Sequence, residues 1–271
     1  MSKLVTRKPT GKPSWPILLL AGGEKCGKSY SAAALSASDL IDRTFYLEVG
    51  EGSADQYGAL PGARYEIVQH DGTYNSLLTA AQAMVAEPRR GAKPNAIIVD
   101  SITELWDLLG NEQAAIAKGR GKTVITMDQW NAAKKKWRVF FDALRAHNGP
   151  VILTARYELV TVMDEAGKPT KEKEWKVRAE KNTAYEVDGI IQIPKPREFY
   201  IAGMRTLKFE VPIGGNLRLP PNFSLDWFLR ELGIAGNEGV REYVAPTLDQ
   251  AEIDAAANDH WDSPANEGQA S

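Results

Sequence analysis

A glycine-rich segment at residues 22–29 constrains the fold of this chain more than any other stretch. It reads GGEKCGKS, the pattern G-x-x-x-x-G-K-S, and it lies between an apolar run at 17–20 and an alanine-rich stretch at 31–36. The apolar run is typical of a strand buried on both faces of a parallel sheet, and the alanine-rich stretch favours a helix. A strand, a glycine loop and a helix in this order predict a phosphate-binding loop rather than a plain glycine turn.

Each residue type in this loop has a chemical reason for its position. Gly22 and Gly27 allow backbone angles and a close approach that a Cβ atom would forbid. Lys28 is predicted to contact the β- and γ-phosphates, and the Ser29 hydroxyl to ligate Mg²⁺. Free N–H groups at the helix start favour an anion at the same place. The predicted ATP-binding residues are Gly22, Gly23, Glu24, Lys25, Cys26, Gly27, Lys28, Ser29 and Tyr30.

Length and composition limit the other possibilities. With 271 residues, of which 25% are charged and 43% hydrophobic, the sequence predicts one soluble domain with appendages. No apolar run reaches membrane-spanning length, and the polar start lacks the apolar core of a signal peptide, so we expect a cytoplasmic protein with no membrane partner. Cys26 is the one cysteine. It fits either as a small residue of the loop or as a redox-sensitive position at the nucleotide.

The net charge of −2 conceals an uneven distribution of charge. Residues 247–271 carry six acidic residues and no Lys or Arg, and removing six negative charges from −2 leaves the preceding body at +4. A mildly basic body fits a polyanionic partner. We expect a flexible basic arm at 1–14, a nucleotide-binding core at 15–235 that includes a charged segment at 157–181, and an acidic, disordered tail at 236–271.

A second apolar run, at residues 95–100, ends in Asp100. A parallel strand delivers its last side chain to the edge of the sheet that carries the phosphates. Asp100 is therefore predicted to hold Mg²⁺ through water, and to share the metal with Ser29. Together these residues predict ATP and Mg²⁺ as the cofactors.

The remaining patterns predict an α/β fold with a mainly parallel central sheet flanked by helices and with antiparallel strands towards the C-terminus. The aromatic face of the segment 127–147 is either a helix face packed on the sheet or a platform for stacking bases. Further strands are predicted at 43–49, 65–69, 151–155 and 187–193, a hairpin at 199–201 with 206–211, and helices at 76–86, 103–117, 127–147 and 225–232.

Hydrolysis of a γ-phosphate requires a group that orients or deprotonates the attacking water. Two acids, Glu48 and Glu51, lie at the end of the predicted strand 43–49. A glutamate one water away from the γ-phosphate would serve as a general base. Spacing alone does not choose between the two acids, and both are also compatible with solvated loop positions.

Four segments together resemble the RecA-type recombinase ATPase core. The resemblance implies a RecA-like P-loop fold and ATP hydrolysis, with Glu51 as the catalytic base. It puts the γ-phosphate sensor on Thr154 or Arg156, where the family usually has Asn-Gln or His. The four segments are GGEKCGKS at 22–29, LEVGEGSAD at 47–55, IIVDSITEL at 97–105 and VILTAR at 151–156.

The chain is similar, in particular, to the short phage-encoded RecA-like proteins of the Sak-type single-strand annealing group. It starts close to the P-loop strand, carries Trp130 on a helix of the same type, and has a lysine-rich insert after the strand at 151–156. The resemblance covers residues 15–215. It implies a phage protein in the cytoplasm of a bacterial host that binds single-stranded DNA and promotes annealing or strand exchange.

The same resemblance implies a homo-oligomeric ring or filament with ATP at the subunit interfaces. Lys181 or Arg156 would then reach the γ-phosphate of a neighbouring subunit, and the acidic tail would compete with DNA or dock a single-strand-binding protein. By position, residues 157–181 are the DNA-facing loop; the alternative is a charged surface hairpin, because acids offset its lysines. The predicted DNA-binding residues are Lys168, Lys171, Lys173, Trp175, Lys176 and Arg178, and the predicted catalytic residues are Glu51, Lys28, Thr154, Arg156 and Lys181.

Two other classes of function remain compatible with the phosphate loop. A P-loop kinase acting on a small molecule would need an acceptor pocket and an arginine-rich lid, for which the segment with Arg120 and Lys122 is a poor candidate. A nucleotide-gated assembly protein would lack DNA affinity altogether. Stimulation of ATP hydrolysis by single-stranded DNA would distinguish the recombination protein from both.

Overall fold

The computed structural model describes residues 4–164, 166–213 and 215–234, together with residues 241, 243, 244 and 246. The prediction of an acidic, disordered tail at 236–271 falls largely outside the described residues, as does Glu165. No helix of the described ranges combines the length and the apolar character that crossing a bilayer requires.

The strands of the described residues form one sheet in the order β3-β2-β4-β5-β1-β7-β8-β9, and β6 pairs with β5 outside this path. The strands from β3 to β7 in this order are parallel to one another. The pairs β7–β8, β8–β9 and β5–β6 are antiparallel. The strands are β1 (Ile17–Gly22), β2 (Thr44–Glu48), β3 (Tyr65–Ile67), β4 (Ala96–Asp100), β5 (Val151–Met163), β6 (Pro169–Val177), β7 (Gly189–Lys195), β8 (Glu198–Met204) and β9 (Leu217–Arg218).

Helices cover both faces of the sheet because successive side chains of a strand point to opposite sides. Leu18 and Leu20 of β1 pack in one apolar cluster with α1 and α7, and Ile17 and Leu19 pack in the other with α3, α4 and α5. This is the predicted α/β arrangement. The helices are α1 (Lys28–Ala34), α2 (Ala54–Tyr57), α3 (Tyr74–Ala86), α4 (Ile102–Gly119), α5 (Met127–Arg145), α6 (Thr183–Glu186) and α7 (Leu225–Glu231).

The aromatic face of α5 belongs to the core. Trp137, Phe140 and Phe141 are each at most 1% exposed and pack against the sheet. The interpretation as a packed helix face is confirmed, and the base-stacking alternative is wrong, because these rings have no surface left for a base.

The strand predicted at 151–155 is much longer than its apolar run. β5 has 13 residues, of which the first five are buried and the other eight are half-buried or exposed. Its outer part pairs with β6 to form a two-stranded antiparallel ribbon that extends beyond the sheet; we call residues 157–177 the β5–β6 ribbon. At its tip, an Asp164 carboxylate oxygen accepts hydrogen bonds from the amides of Ala166 and Lys168, at 2.9 and 2.8 Å.

The hairpin predicted from 199–201 and 206–211 is wrong. β8 pairs instead with β7 and β9, and residues 206–211 form no strand. Phe209 of this segment stacks on Phe228 of α7, with ring centroids 5.4 Å apart. Packing of the aromatic ring on the helix therefore replaces strand pairing.

Candidate nucleotide-binding site

The carboxyl ends of the parallel strands meet at one edge of the sheet, and a cavity of about 800 Å³ lies there. In the register, Gly22 at the end of β1 lies beside Arg156 of β5, and Glu48 at the end of β2 lies beside Asp100 of β4. The P-loop, which follows β1, forms one wall. The lining residues are 22–30 of the P-loop with Glu51, Ser53, Tyr57, Asp100, Arg156, Tyr157 and Arg178.

The P-loop conformation depends on its two motif glycines. A Cβ atom on Gly22 would lie 2.2 Å from the carbonyl oxygen of Ile193 and 2.8 Å from the Cys26 sulfur. Gly27 has φ 101°, in the left-handed region that favours glycine. Cys26 is only 3% exposed and its thiol fills the space beside Gly22, which favours its interpretation as a small packing residue.

The Lys28 ammonium group lies within the curve of the loop. Its Nζ donates hydrogen bonds to the carbonyl oxygens of Gly23, at 2.7 Å, and Gly22, at 3.3 Å. Lys28 and Ser29 both line the cavity and both belong to the first turn of α1. A cation, a hydroxyl group and the helix N-terminus therefore face the same space, which is the arrangement that a phosphate chain requires.

Asp100 is 1% exposed and is held by two hydroxyl groups. Thr154 donates to one carboxylate oxygen, and Tyr46 donates to the other at 2.5 Å. Burial, together with the charge of Asp100, raises the pKa of Tyr46, so that its hydroxyl stays protonated and remains a donor. Hydroxyl groups of the two neighbouring strands, β2 and β5, thus fix the orientation of the Asp100 carboxylate at the cavity.

Thr154 has a different place from the predicted γ-phosphate sensor. It is fully buried and pairs in register with Leu20 of β1, and its hydroxyl group donates a hydrogen bond to Asp100. It is absent from the lining residues, whereas Arg156 is among them. This geometry argues against Thr154 as a sensor and favours Arg156, because only the latter has access to a phosphate.

The structure distinguishes the two acids after β2. The Glu48 carboxylate accepts hydrogen bonds from the backbone amides of Ser53 and Ala54, the latter at 2.7 Å, and thereby holds the start of α2. The Glu51 side chain is 24% exposed and lines the cavity. Glu51 is therefore the acid that can reach a water molecule beside a bound phosphate, and its role as the base stays a prediction.

Two arginines at the base of the β5–β6 ribbon line the cavity, and both form ion pairs with neighbouring carboxylates. Arg156 binds Glu51 through Nη2 at 2.8 Å and Glu104 through Nη1 at 2.6 Å. Arg178 binds Asp107 at 2.8 Å. Burial lowers the pKa of Arg156, but Glu51 and Glu104 outweigh it and raise the pKa, so the guanidinium group stays charged.

The predicted DNA-binding residues separate into different environments. Lys171, Lys173, Trp175 and Lys176 lie on β6, and Lys168 lies at the tip of the ribbon. Arg178 lines the nucleotide cavity instead, because its guanidinium group forms an ion pair with Asp107 of α4.

Lys181, the predicted trans-acting residue, is exposed and does not line the cavity. Sequence reasoning missed Tyr46, Tyr157, Glu104 and Asp107. Tyr157 follows directly on the predicted sensor position, which is a usable signal, but no spacing connects β2 or α4 to these contacts.

Comparison with known families agrees with this geometry. The family model described as AAA domain matches residues 16–195, which is more than half of the chain. The chain belongs to the AAA domain family. This AAA domain protein is an ATPase, with the P-loop and the acids at the ends of β2 and β4 inside the matched residues.

One similar solved structure is described as a prototypical ATPase from the type III secretion system of pathogenic bacteria. It is 14% identical over 65% of this chain and 50% of that chain, with a TM-score of 0.42. The AAA domain protein thus aligns with half the length of that ATPase. A search of curated proteins found no match.

Proposed function

We propose that this ATPase binds Mg-ATP and couples its hydrolysis to binding of single-stranded DNA, and that it thereby promotes annealing or strand exchange. The nucleotide part of the proposal is supported by the cavity, in which phosphate-binding and acidic groups meet. The DNA part is supported by the β5–β6 ribbon, whose one face is exposed, apolar and basic.

Ser29 and Asp100 fit a magnesium ion because they line one cavity and supply the hard oxygen donors that Mg²⁺ prefers. When bound, the ion supplies charge neutralisation on the β- and γ-phosphates. Lys28 binds and orients the phosphates from the P-loop. Glu51 accepts a proton from the attacking water, and Arg156 orients Glu51 through its 2.8 Å ion pair.

One observation carries the DNA proposal: the two faces of the β5–β6 ribbon differ in chemistry. On one face Leu159 pairs with Trp175 and Thr161 pairs with Lys173. Leu159 is 47% and Trp175 63% exposed, and Lys171 extends the same face because it is two residues from Lys173. We call this the Trp175 face. An exposed indole beside lysines suits stacking on bases and neutralisation of phosphates.

The opposite face of the ribbon is acidic. Glu158 pairs in register with Lys176, and Val160 with Glu174. The Lys176 ammonium group is itself neutralised by Glu174 at 2.6 Å. Repulsion between these carboxylates and a nucleic acid backbone directs the polyanion to the Trp175 face.

The experiment compares matched charge reversals on the two faces. We expect Lys173→Glu to weaken binding of a labelled oligo(dT) and to reduce the dependence of its affinity on salt, because one phosphate contact is lost. Lys176→Glu makes the same charge change on the acidic face and should have a much smaller effect. Fluorescence anisotropy at two salt concentrations measures both.

Equal effects of the two reversals would contradict the assignment of the Trp175 face. Absence of oligonucleotide binding by the wild type at either salt concentration would contradict DNA binding and favour a nucleotide-gated assembly protein. Phosphate transfer to a small acceptor would favour a P-loop kinase.

We further propose a homo-oligomer, ring or filament, with ATP at the subunit interface and Lys181 reaching a neighbour's phosphate. The exposed position of Lys181 is compatible with this role. Particle size measured with and without a non-hydrolysable ATP analogue tests it, and a monomer under both conditions would contradict it.

A further inference from the structure

The base of the β5–β6 ribbon is attached to the first turns of α4 by one buried hydroxyl group. Thr103 accepts a hydrogen bond from the Arg156 amide at 2.9 Å and donates one to the Arg178 carbonyl oxygen at 2.8 Å. The Arg178 amide in turn donates to the Arg156 carbonyl oxygen at 2.8 Å. Thr103 therefore joins both ends of the ribbon to α4.

The side chains of Arg156 and Arg178, the two residues that flank the ribbon, are also paired with α4. Glu104 binds Arg156 at 2.6 Å, and Asp107 binds Arg178 at 2.8 Å. Glu104 and Asp107 are three residues apart, and hence lie on one face of the helix. The arginine of each pair is more than a third exposed, at 39% for Arg156 and 45% for Arg178, so solvent screens both pairs and their main effect is on the orientation of the arginines.

Arg156 also connects these contacts to Glu51, the candidate general base. The second amino group of Arg156 binds Glu51, so that Glu51 and Glu104 share one guanidinium group. Glu104 also packs on the loop that carries Glu51, since a Cβ atom on Gly50 would lie 3.0 Å from its Cγ. β4 ends at Asp100, Ser101 is the N-cap of α4, and α4 begins at Ile102, so the helix follows directly on the strand that carries Asp100.

We propose that Thr103, Glu104 and Asp107 are positioning residues that couple the ribbon to the orientation of Glu51. A displacement of the ribbon is transmitted through the Thr103 hydrogen bonds to α4, and changes how the Arg156 guanidinium group is shared between Glu104 and Glu51. Coupling is reciprocal, so a phosphate that attracts Arg156 alters the ribbon in return. The inference uses the ATPase activity, and rests on the proposed function for the role of Glu51 as the base and for the identity of the ribbon's ligand.

The test measures how nucleotide alone, without DNA, changes the amide hydrogen exchange of the ribbon. Amide hydrogen exchange at residues 157–177 is compared with and without a non-hydrolysable ATP analogue and Mg²⁺. We expect the exchange rates of the wild type to change by about five-fold or more. Thr103→Val should lose this response while still binding the analogue, and Thr103→Ser, which keeps the hydroxyl, should retain it. A wild-type ribbon that does not respond, or a Thr103→Val ribbon that responds fully, would overturn the proposal.

A second variant guards against a folding defect, because Thr103→Val leaves two buried backbone groups without their partner. Glu104→Gln changes a partly exposed side chain and should reduce both the ribbon response and kcat, with KM for ATP nearly unchanged. Glu112→Gln is the matched control on the same helix, since Glu112 pairs with Lys136 at 2.5 Å away from the cavity. If Glu104→Gln behaves like Glu112→Gln, the coupling does not exist.

Addition of oligo(dT) separates this inference from the proposed function. A ribbon that responds to the ATP analogue in a protein that binds no oligonucleotide supports the coupling and overturns DNA as the ligand. A protein that binds oligonucleotide with a ribbon that ignores the analogue supports DNA binding and overturns the coupling.

Discussion

The two halves of β5 are one continuous strand in two different environments. Residues 151–155 are buried between β1 and β4, whereas residues 157–163 pair with β6 and are mostly exposed. Both halves are rich in residues that favour strands, so propensity does not distinguish them. Their neighbours do, because an interior strand is covered on both faces and the ribbon is not.

The comparison shows how one strand contributes to the nucleotide site at one end and forms an exposed ribbon at the other, where we propose that DNA binds. Thr154 in the inner half holds Asp100, Arg156 at the junction holds Glu51, and Trp175 lies opposite the outer half. Changes near the sheet edge should therefore affect hydrolysis and folding, and side-chain changes on the exposed faces of the ribbon should affect neither folding nor DNA-free hydrolysis strongly.

Glu51→Gln is expected to have the largest effect. Loss of the general base should lower kcat by about 10²–10⁴-fold while ATP binding is retained. Steady-state ATPase assays and titration with a fluorescent ATP analogue measure the two quantities. Glu48→Gln is the comparison, because its carboxylate holds the amides of Ser53 and Ala54 instead of facing the cavity. Normal turnover in Glu51→Gln together with inactive Glu48→Gln would show that the base is assigned to the wrong acid.

Lys28→Ala should rank second, since it removes the one P-loop cation that is hydrogen-bonded within the curve of the loop. We expect kcat/KM to fall by about 10²–10³-fold, as for loss of a preorganised charge-stabilising donor. Lys135→Ala deletes an exposed lysine of α5 and should leave kcat/KM within about two-fold of the wild type. Similar kinetics for the two variants would contradict the role of Lys28.

A leucine pair tests the two halves of β5 directly. Leu153 is fully buried, so Leu153→Ala should lower the free energy of unfolding by about 2–5 kcal/mol. Leu159 is 47% exposed on the ribbon, and Leu159→Ala should lower it by about 0.5 kcal/mol or less. Urea denaturation measures both, and equal losses would mean that the outer half is as tightly packed as the inner one.

The last prediction concerns the effect of acid on the stability of the sheet. Burial lowers the pKa of His147 to about 4, and its Nε2 donates to the Asn95 carbonyl oxygen at 2.8 Å. The unfolded chain binds this proton near pH 6.5, so stability is full above that pH and decreases towards pH 4 by up to about 3 kcal/mol. Urea denaturation between pH 7 and 4 measures the decrease, and His147→Gln should reduce it. An unchanged decrease in the His147→Gln variant would assign the acid sensitivity to other groups.

Sequence patterns predicted the parts of this protein that depend on local spacing. The motif at 22–29 specifies a glycine loop between a strand and a helix because phosphate binding needs those residue types at consecutive positions. The apolar run ending at Asp100 specifies a buried parallel strand for a similar reason. The outer half of β5 escaped prediction because its alternating, partly polar pattern gains order only by pairing with β6.

Three placements were decided by tertiary structure alone: Thr154 behind Asp100, Arg178 beside the nucleotide site, and the Trp175 face of the ribbon. The family resemblance already favoured Glu51 over Glu48, and the cavity lining agrees with that choice. The P-loop and Asp100, by contrast, were determined by the sequence itself. The physical reason is the range of the interactions. A glycine loop and a buried strand follow from neighbouring residues, whereas ion pairs such as that of Glu51 with Arg156 join residues 105 positions apart and exist only once the sheet has formed.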